Sequence, residues 1–271
     1  MHLTFPIRGD RLSMNVSVRA HLAHRETDFQ AIDIYDTDVF GRVLLLDGHV
    51  QLAELDEHAY HESLVQIPLN SLESPQRALV IGGGDGGVIR ELVKSKSLVE
   101  IDMVEIDQGV IDVCREHLPS VSAGAFDDPR VHVHVADAFP FVKEADRSYD
   151  LVVMDSTDTY EGEDGALSEQ LFTEAFYRDC CRALTQNGLL VTQADNLLFC
   201  PYSLEGILQT LASVFPEVGS YQALIPSFGG FSGFAWASKG AELSRHWRQA
   251  WDGLRYLNPV TFSLAFQPLG F

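Results

Sequence analysis

An apolar run, Arg77-Ala-Leu-Val-Ile81, stops at Gly82-Gly-Gly-Asp-Gly-Gly87 and gives way to a helix-compatible stretch from Val88 to Ser95. A strand, a glycine turn and a helix in that order open a doubly wound α/β sheet. Glycine lets the turn take left-handed backbone and lets a ligand approach the main chain closely. The turn carries a carboxylate, Asp85, where a dinucleotide would place its pyrophosphate. That charge repels a phosphate and attracts a cation.

The same alternation continues along the chain. Leu98 to Val104 reads as a strand ending at Glu105, followed by a helix over Gln108 to about His117. Val131 to Val135 is a strand ending at Ala136-Asp137, and Tyr149 to Met154 is a strand ending at Asp155. A helix from about Ser168 to Leu184 precedes the strand Gly188 to Thr192. A further helical pattern covers Leu204 to Phe215, and a late hairpin spans about Tyr221 to Trp236. Strands alternating with helices imply a parallel sheet covered on both faces. Such sheets bind ligands at the carboxyl ends of their strands, where Asp85, Glu105, Asp137 and Asp155 all fall.

Ahead of this lies a different pattern. Ser13 to Ala20 and Phe29 to Tyr35 alternate, and Arg42 to Leu46 is joined to His49 to Leu52 by the hairpin signal Asp47-Gly48. A helix follows from Glu57 to about Leu69, with Tyr60, Leu64 and Ile67 on one face. The expected architecture is therefore α/β: a Rossmann-like parallel sheet with a small N-terminal antiparallel β domain, its likeness to the S-adenosylmethionine-dependent methyltransferase type being what the resemblance of its motifs to a known family implies. The division falls at residues 1–56 and 57–271.

Composition narrows the ligand. The 271 residues carry 39 acids against 19 basic residues, a formal net charge of −20. That field repels nucleic acid and anionic membranes, and it serves either solubility or a cationic substrate. Cys114, Cys180, Cys181 and Cys200 show no CxxC spacing, which fits free thiols in a reducing compartment. Met1 to Arg8 is no signal peptide and no run reaches transmembrane length, so a soluble cytoplasmic protein is expected.

The strand-end residues suggest chemistry. A nucleoside that lacks phosphate and carries positive charge suits Asp85, and S-adenosyl sulfonium compounds have both properties. Glu105 is placed to bind ribose hydroxyls. Asp137 suits either an N-cap for the next helix or an acceptor for an adenine amino group. Asp155 and Asp158 suit a capping arrangement, a metal site or an amine-handling pair, and no histidine or further acid near them in the chain completes a ligand set.

Here the chain resembles the spermidine synthase (polyamine aminopropyltransferase) family, from about Glu26 to the C-terminus. The resemblance is carried by Leu45-Leu-Asp-Gly-His-Val-Gln51, Asp56-Glu-His-Ala-Tyr-His-Glu62, Ile81 to Gly87, Val104-Glu-Ile-Asp107, Ala136-Asp137-Ala138, Asp155-Ser-Thr-Asp158 and Asn258-Pro259. It implies that Glu105 binds ribose, that Asp137 and Ala138 meet adenine, and that Gly82 and Gly84 shape the nucleoside turn beside Gln30. It implies that Asp85 and Gln51 hold the aminopropyl amine of decarboxylated S-adenosylmethionine. Asp155, assisted by Tyr60, meets the attacking amine. Asp158 and His61 hold a small polyamine acceptor, and Gln193 lines the same cleft. The implied assembly is a homodimer or homotetramer, with no metal and no permanently bound cofactor.

Two stretches depart from the family pattern. The segment after Asp158 lacks the usual proline and carries Glu161, Glu163 and Asp164, and Phe228 stands where the family often has an acceptor-binding tyrosine. Aminopropyl transfer to putrescine or a related amine is the leading expectation. An N-methyltransferase using ordinary S-adenosylmethionine and a catalytically degenerate polyamine or nucleoside binder are the alternatives.

Overall fold

The computed structural model describes residues 1–8, 12–146, 148–156, 170–248 and 253–270. Strands β1 (His2–Arg8), β2 (Leu12–Glu26), β3 (Ala31–Thr37), β4 (Gly41–Leu46) and β5 (His49–Ala53) form an antiparallel sheet in that order. The turn between β4 and β5 has positive φ at both central residues, 48° at Asp47 and 80° at Gly48. Those angles match the right-handed twist of the flanking strands, as Asp-Gly predicts. The sequence reading missed β1, although Leu3, Phe5 and Ile7 alternate; Phe5 is buried with Val16, Phe40 and Val43.

Helix α1 (Glu57–Leu69) leads into the second sheet. Its strands are β6 (Arg77–Gly82), β7 (Glu100–Glu105), β8 (Val131–Val135), β9 (Tyr149–Asp155), β10 (Leu184–Asn196), β11 (Glu217–Ile225) and β12 (Gly230–Ser238). Their spatial order is β11-β12-β10-β9-β6-β7-β8. Strands β10, β9, β6, β7 and β8 run parallel, as expected. The sheet as a whole is mixed, because the late hairpin inserts β12 antiparallel between β10 and β11. A tight hairpin forces that reversal, whereas parallel neighbours need a long crossover.

Helices α2 (Gly87–Val93), α3 (Gln108–His117), α4 (Pro119–Ser122), α5 (Ala138–Lys143), α6 (Glu174–Ala183), α7 (Pro201–Ala212) and α8 (Pro259–Leu264) complete the described elements with two short 3₁₀ turns. Leu79, Ile81, Val152 and Met154 pack on the face that holds Phe176, Tyr177 and Leu211. The alternate residues Ala78, Val80, Leu151 and Val153 pack on the face that holds Leu64, Ile67, Ile89 and Phe262. Burial on both faces is why these strands read as continuous apolar runs. The N-terminal sheet joins the rest through α3, whose Val110, Val113 and Cys114 pack against Ile32, Ile34 and Leu44.

Helix α1 is the least ordinary element. It is buried on almost every side, yet it carries Glu57, His61, Glu62 and Gln66 inward. Each has a partner, as buried charge requires. Glu62 accepts the backbone N–H groups of Arg255, Tyr256 and Leu257. Just before the helix, Asp56 accepts the N–H and hydroxyl of Ser227. These two carboxylates tie the tail segment and the turn carrying Phe228 to α1.

Candidate active site

A cavity of about 470 Å³ opens along the carboxyl ends of β6 to β10. Residues of β1, the β4–β5 hairpin and the turn around Phe228 close its other side. Seven carboxylate residues line it, namely Asp28, Asp47, Asp85, Glu105, Asp137, Asp155 and Asp195, and no lysine or arginine among the described residues does. Its wall is therefore strongly cation-attracting.

At one end the glycine turn brings bare backbone to the cavity wall. Gly82 has φ 83°, and a Cβ there would lie 2.2 Å from the Asp155 carbonyl oxygen. A Cβ on Gly84 would lie 2.8 Å from Val110 and 3.0 Å from Glu105 Oε2. Side chains are thus excluded from both positions, and the backbone itself forms the cavity wall. Glu105 accepts the Asp107 N–H at 2.9 Å. Burial is the main cause that pushes its carboxyl up to about 7, with the nearby Asp107 charge adding to it.

Asp107 was not singled out in the sequence, yet it organises this end. One oxygen caps α3 through the Gly109 N–H at 2.8 Å. The other accepts the Thr27 hydroxyl at 2.8 Å and the Gln30 amide at 3.0 Å. Gln30 is thereby tethered at the cavity wall. Asp137 caps α5 by accepting the Phe139 N–H at 2.8 Å, and with Ala138 it also lines the cavity.

The other end gathers Tyr60, Asp155 and Asp85. Tyr60 Oη donates to Asp155 Oδ1 at 2.6 Å. Burial and the Asp85 charge push Asp155 up to about 6, while His61 and the Tyr60 hydrogen bond work the other way. Burial also disfavours the Asp85 anion, but His61 and the Gly87 N–H, 2.6 Å from Asp85 Oδ1, outweigh it and hold this carboxyl low. Two neighbouring carboxyls are thus driven apart, one ionised and one poised to exchange a proton.

His61, expected at the acceptor, is 1% exposed and is not among the residues that line the 470 Å³ cavity. Its Nδ1 lies 2.7 Å from Glu57 Oε2 and its Nε2 lies 3.4 Å from Asp85 Oδ2. Burial opposes its charge, but Asp85 and Glu57 outweigh burial and raise the imidazole to about 10. The sequence placed no histidine near Asp155, yet His61, Asp85 and Asp155 bring ligand-type atoms within 4.8 Å of one another.

Gln51, Gln193 and Phe228 all line the cavity. Gln193 is held by the Ser156 carbonyl and the Asp195 N–H. Phe228 packs edge-on to Tyr60, with ring centroids 5.8 Å apart. Asp158, Glu161, Glu163 and Asp164 lie outside the described residues. Sequence reasoning missed Asp195, a lining residue in left-handed backbone at φ 61°. Its place two residues past Gln193, on the strand-end rule used elsewhere, was the available signal.

Known proteins resemble this chain over most of its length. The spermine/spermidine synthase domain matches residues 57–246, and the spermidine synthase tetramerisation domain matches residues 6–54. A polyamine aminopropyltransferase from Pectobacterium atrosepticum is 39% identical over 252 residues, covering 90% of this chain and 86% of its own. One from Klebsiella pneumoniae is 39% identical over 267 residues, covering 95% and 91%. A spermidine synthase solved in complex with the transition-state analogue AdoDATO superposes with a TM-score of 0.90 at 27% identity, covering 99% of this chain and 92% of that one. Spermidine synthase from Thermotoga maritima superposes with a TM-score of 0.87 at 27% identity, covering 99% and 91%. The chain belongs to the spermine/spermidine synthase family.

Proposed function

We propose that the protein is an aminopropyltransferase that moves the aminopropyl group of decarboxylated S-adenosylmethionine to an amine nitrogen of putrescine or a related polyamine, releasing methylthioadenosine. The cavity lined by seven carboxylates, with no described lysine or arginine, carries this reading. It suits a sulfonium, an aminopropyl ammonium and a polyamine together. Ordinary S-adenosylmethionine brings a carboxylate that such a wall repels, so the methyltransferase alternative is disfavoured. The Tyr60–Asp155 contact at 2.6 Å is superfluous for a mere binder and suits attack.

In the proposed reaction, the neutral acceptor nitrogen attacks the methylene carbon bonded to sulfur. A C–N bond forms, the C–S bond breaks, and its electron pair neutralises the sulfonium. Asp155 takes the proton that the nitrogen sheds and orients the lone pair in line. Positioning of two bound reactants supplies much of the acceleration. Asp85 and Gln51 hold the donor's amine, Glu105 the ribose, and Asp137 with Ala138 the adenine. Gln193, Phe228 and Asp158 are assigned to the acceptor side.

The assembly proposed is a homotetramer built through the N-terminal sheet, a reading supported by the tetramerisation-domain match over residues 6–54. The proposed domain division is 1–56 and 57–271. A cytoplasmic location is proposed because all four cysteines are free, three of them buried. No described helix is long and apolar enough to cross a membrane.

The test is to incubate the protein with each donor and a panel of di- and polyamines and to read the nucleoside product by mass spectrometry. Methylthioadenosine with the decarboxylated donor is expected. S-adenosylhomocysteine from the ordinary donor, or no product from a protein that binds donor, would overturn the proposal.

A further inference from the structure

We infer that Glu57 is a positioning residue for the transfer reaction: anchored by Arg90, it holds His61 as a cation beneath the cavity, so that Asp85 stays an anion beside Asp155. This rests on the aminopropyl-transfer reading and adds to it a line of charge lying behind the cavity wall.

Arg90, Glu57, His61 and Asp85 alternate in sign from helix α2 through α1 to the glycine turn. Arg90 Nη1 donates to Glu57 Oε1 at 2.8 Å, and the other Glu57 oxygen faces His61 Nδ1 at 2.7 Å. His61 Nε2 then faces Asp85 at 3.4 Å. Of these four side chains only Asp85 lines the cavity. Arg90 is itself fixed, donating also to the Val121 carbonyl at 2.8 Å and to Glu91 Oε1 at 2.9 Å. The His61 ring lies against Gly87, where a Cβ would come within 2.2 Å of its Cε1. A glycine at that position is what allows the imidazole to seat between its two carboxylates.

The charged and titratable groups around the ring are Glu57 on its own helix, Asp85 in the glycine turn and Asp155 at the end of β9. Arg90, Asp56 and His58 stand beside Glu57, and Tyr60 packs edge-on to the ring with centroids 5.2 Å apart. Burial alone would strip His61 of its proton. Two flanking carboxylates reverse that outcome, and burial of Glu57 is in turn outweighed by His61 and Arg90, which lower it to about 2. If His61 were neutral, Asp85 would lose its nearest cation. Asp85 and Asp155 would then retain protons to higher pH, and both would be worse partners for ammonium groups.

Two measurements test this. The first is the nitrogen-15 spectrum of the histidine-labelled wild-type protein, with His61 assigned from a His61→Asn variant. One imidazole should remain doubly protonated to at least roughly pH 8, far above the ordinary histidine range. A wild-type His61 that titrates between about pH 6 and 7 overturns the inference. The second is the pH profile of kcat/KM for Glu57→Gln. Its acid limb should move up by about one pH unit from the wild-type value of about 6, a loss that approaches roughly tenfold below that pH, shrinks to about twofold near neutrality and disappears at alkaline pH. A folded variant with an unmoved acid limb also overturns it. If the wild type transfers no aminopropyl group from any donor, the functional reading fails, and the histidine spectrum still decides whether the charge line exists.

Discussion

Tyr60 Oη and Asp155 Oδ1 lie 2.6 Å apart and join helix α1 to the carboxyl end of β9. The contact links the two segments that carry the reaction end of the cavity. It also opposes the burial and the Asp85 charge that raise Asp155.

Tyr60→Phe removes that donor while keeping the ring packed against Phe228 and Phe234. A hydrogen bond to a charged group contributes about 1.5–3 kcal/mol, so kcat should fall roughly 10- to 100-fold. The acid limb of the rate profile should also move to higher pH, because the lost bond favours the ionised carboxylate. Steady-state kinetics across pH check both effects.

In the wild type, Asp155 must be ionised to accept a proton, and its carboxyl is raised to about 6. Activity in kcat/KM should therefore fall as pH drops through about 6 and be complete on that side above it. An acid limb near the ordinary carboxylate range would separate Asp155 from the proton transfer.

Gly87→Ala puts a methyl group into the His61 ring. Overpacking of this kind costs about 1–3 kcal/mol, and it should depress turnover as well by displacing the imidazole from Asp85. Gly206→Ala is the control: that glycine lies in α7, is exposed, and has nothing within 4 Å of an added Cβ. It should gain about 0.5–1 kcal/mol. Denaturant unfolding and activity measured on both variants distinguish site geometry from general strain.

Glu62→Gln leaves at most one good acceptor for the three N–H groups of residues 255–257, now held at 2.6, 2.9 and 2.8 Å. A loss of about 1–3 kcal/mol is expected in urea unfolding. Faster hydrogen exchange at Arg255 to Leu257 than at the sheet would place the loss in the tail segment.

Much of this was legible from local pattern. The apolar runs before Gly82, Glu105 and Asp155 are strands because both faces of that sheet are covered there, whereas the run before Asp137 is the partly exposed edge strand β8; all four end at the cavity. The bounds of α1, α3 and β8 also follow from the sequence. The reversed strand β12 did not follow from the strand–helix alternation, since only the hairpin turn dictates its direction. Strand β1 escaped because Pro6, which has no backbone N–H, weakens the strand signal of a run that otherwise alternates. The charge line was hidden for another reason. Glu57 and Arg90 lie 33 residues apart, and nothing local in either segment marks the contact. His61 was assigned to the acceptor by resemblance, whereas its burial directs it to Asp85.

The most direct test of the central claim is single-turnover methylthioadenosine formation by Asp155→Asn, paired with calorimetric binding of decarboxylated S-adenosylmethionine. A rate lowered by about 10²–10⁴, with donor affinity changed only modestly, is expected. A wild-type rate in the variant would contradict it.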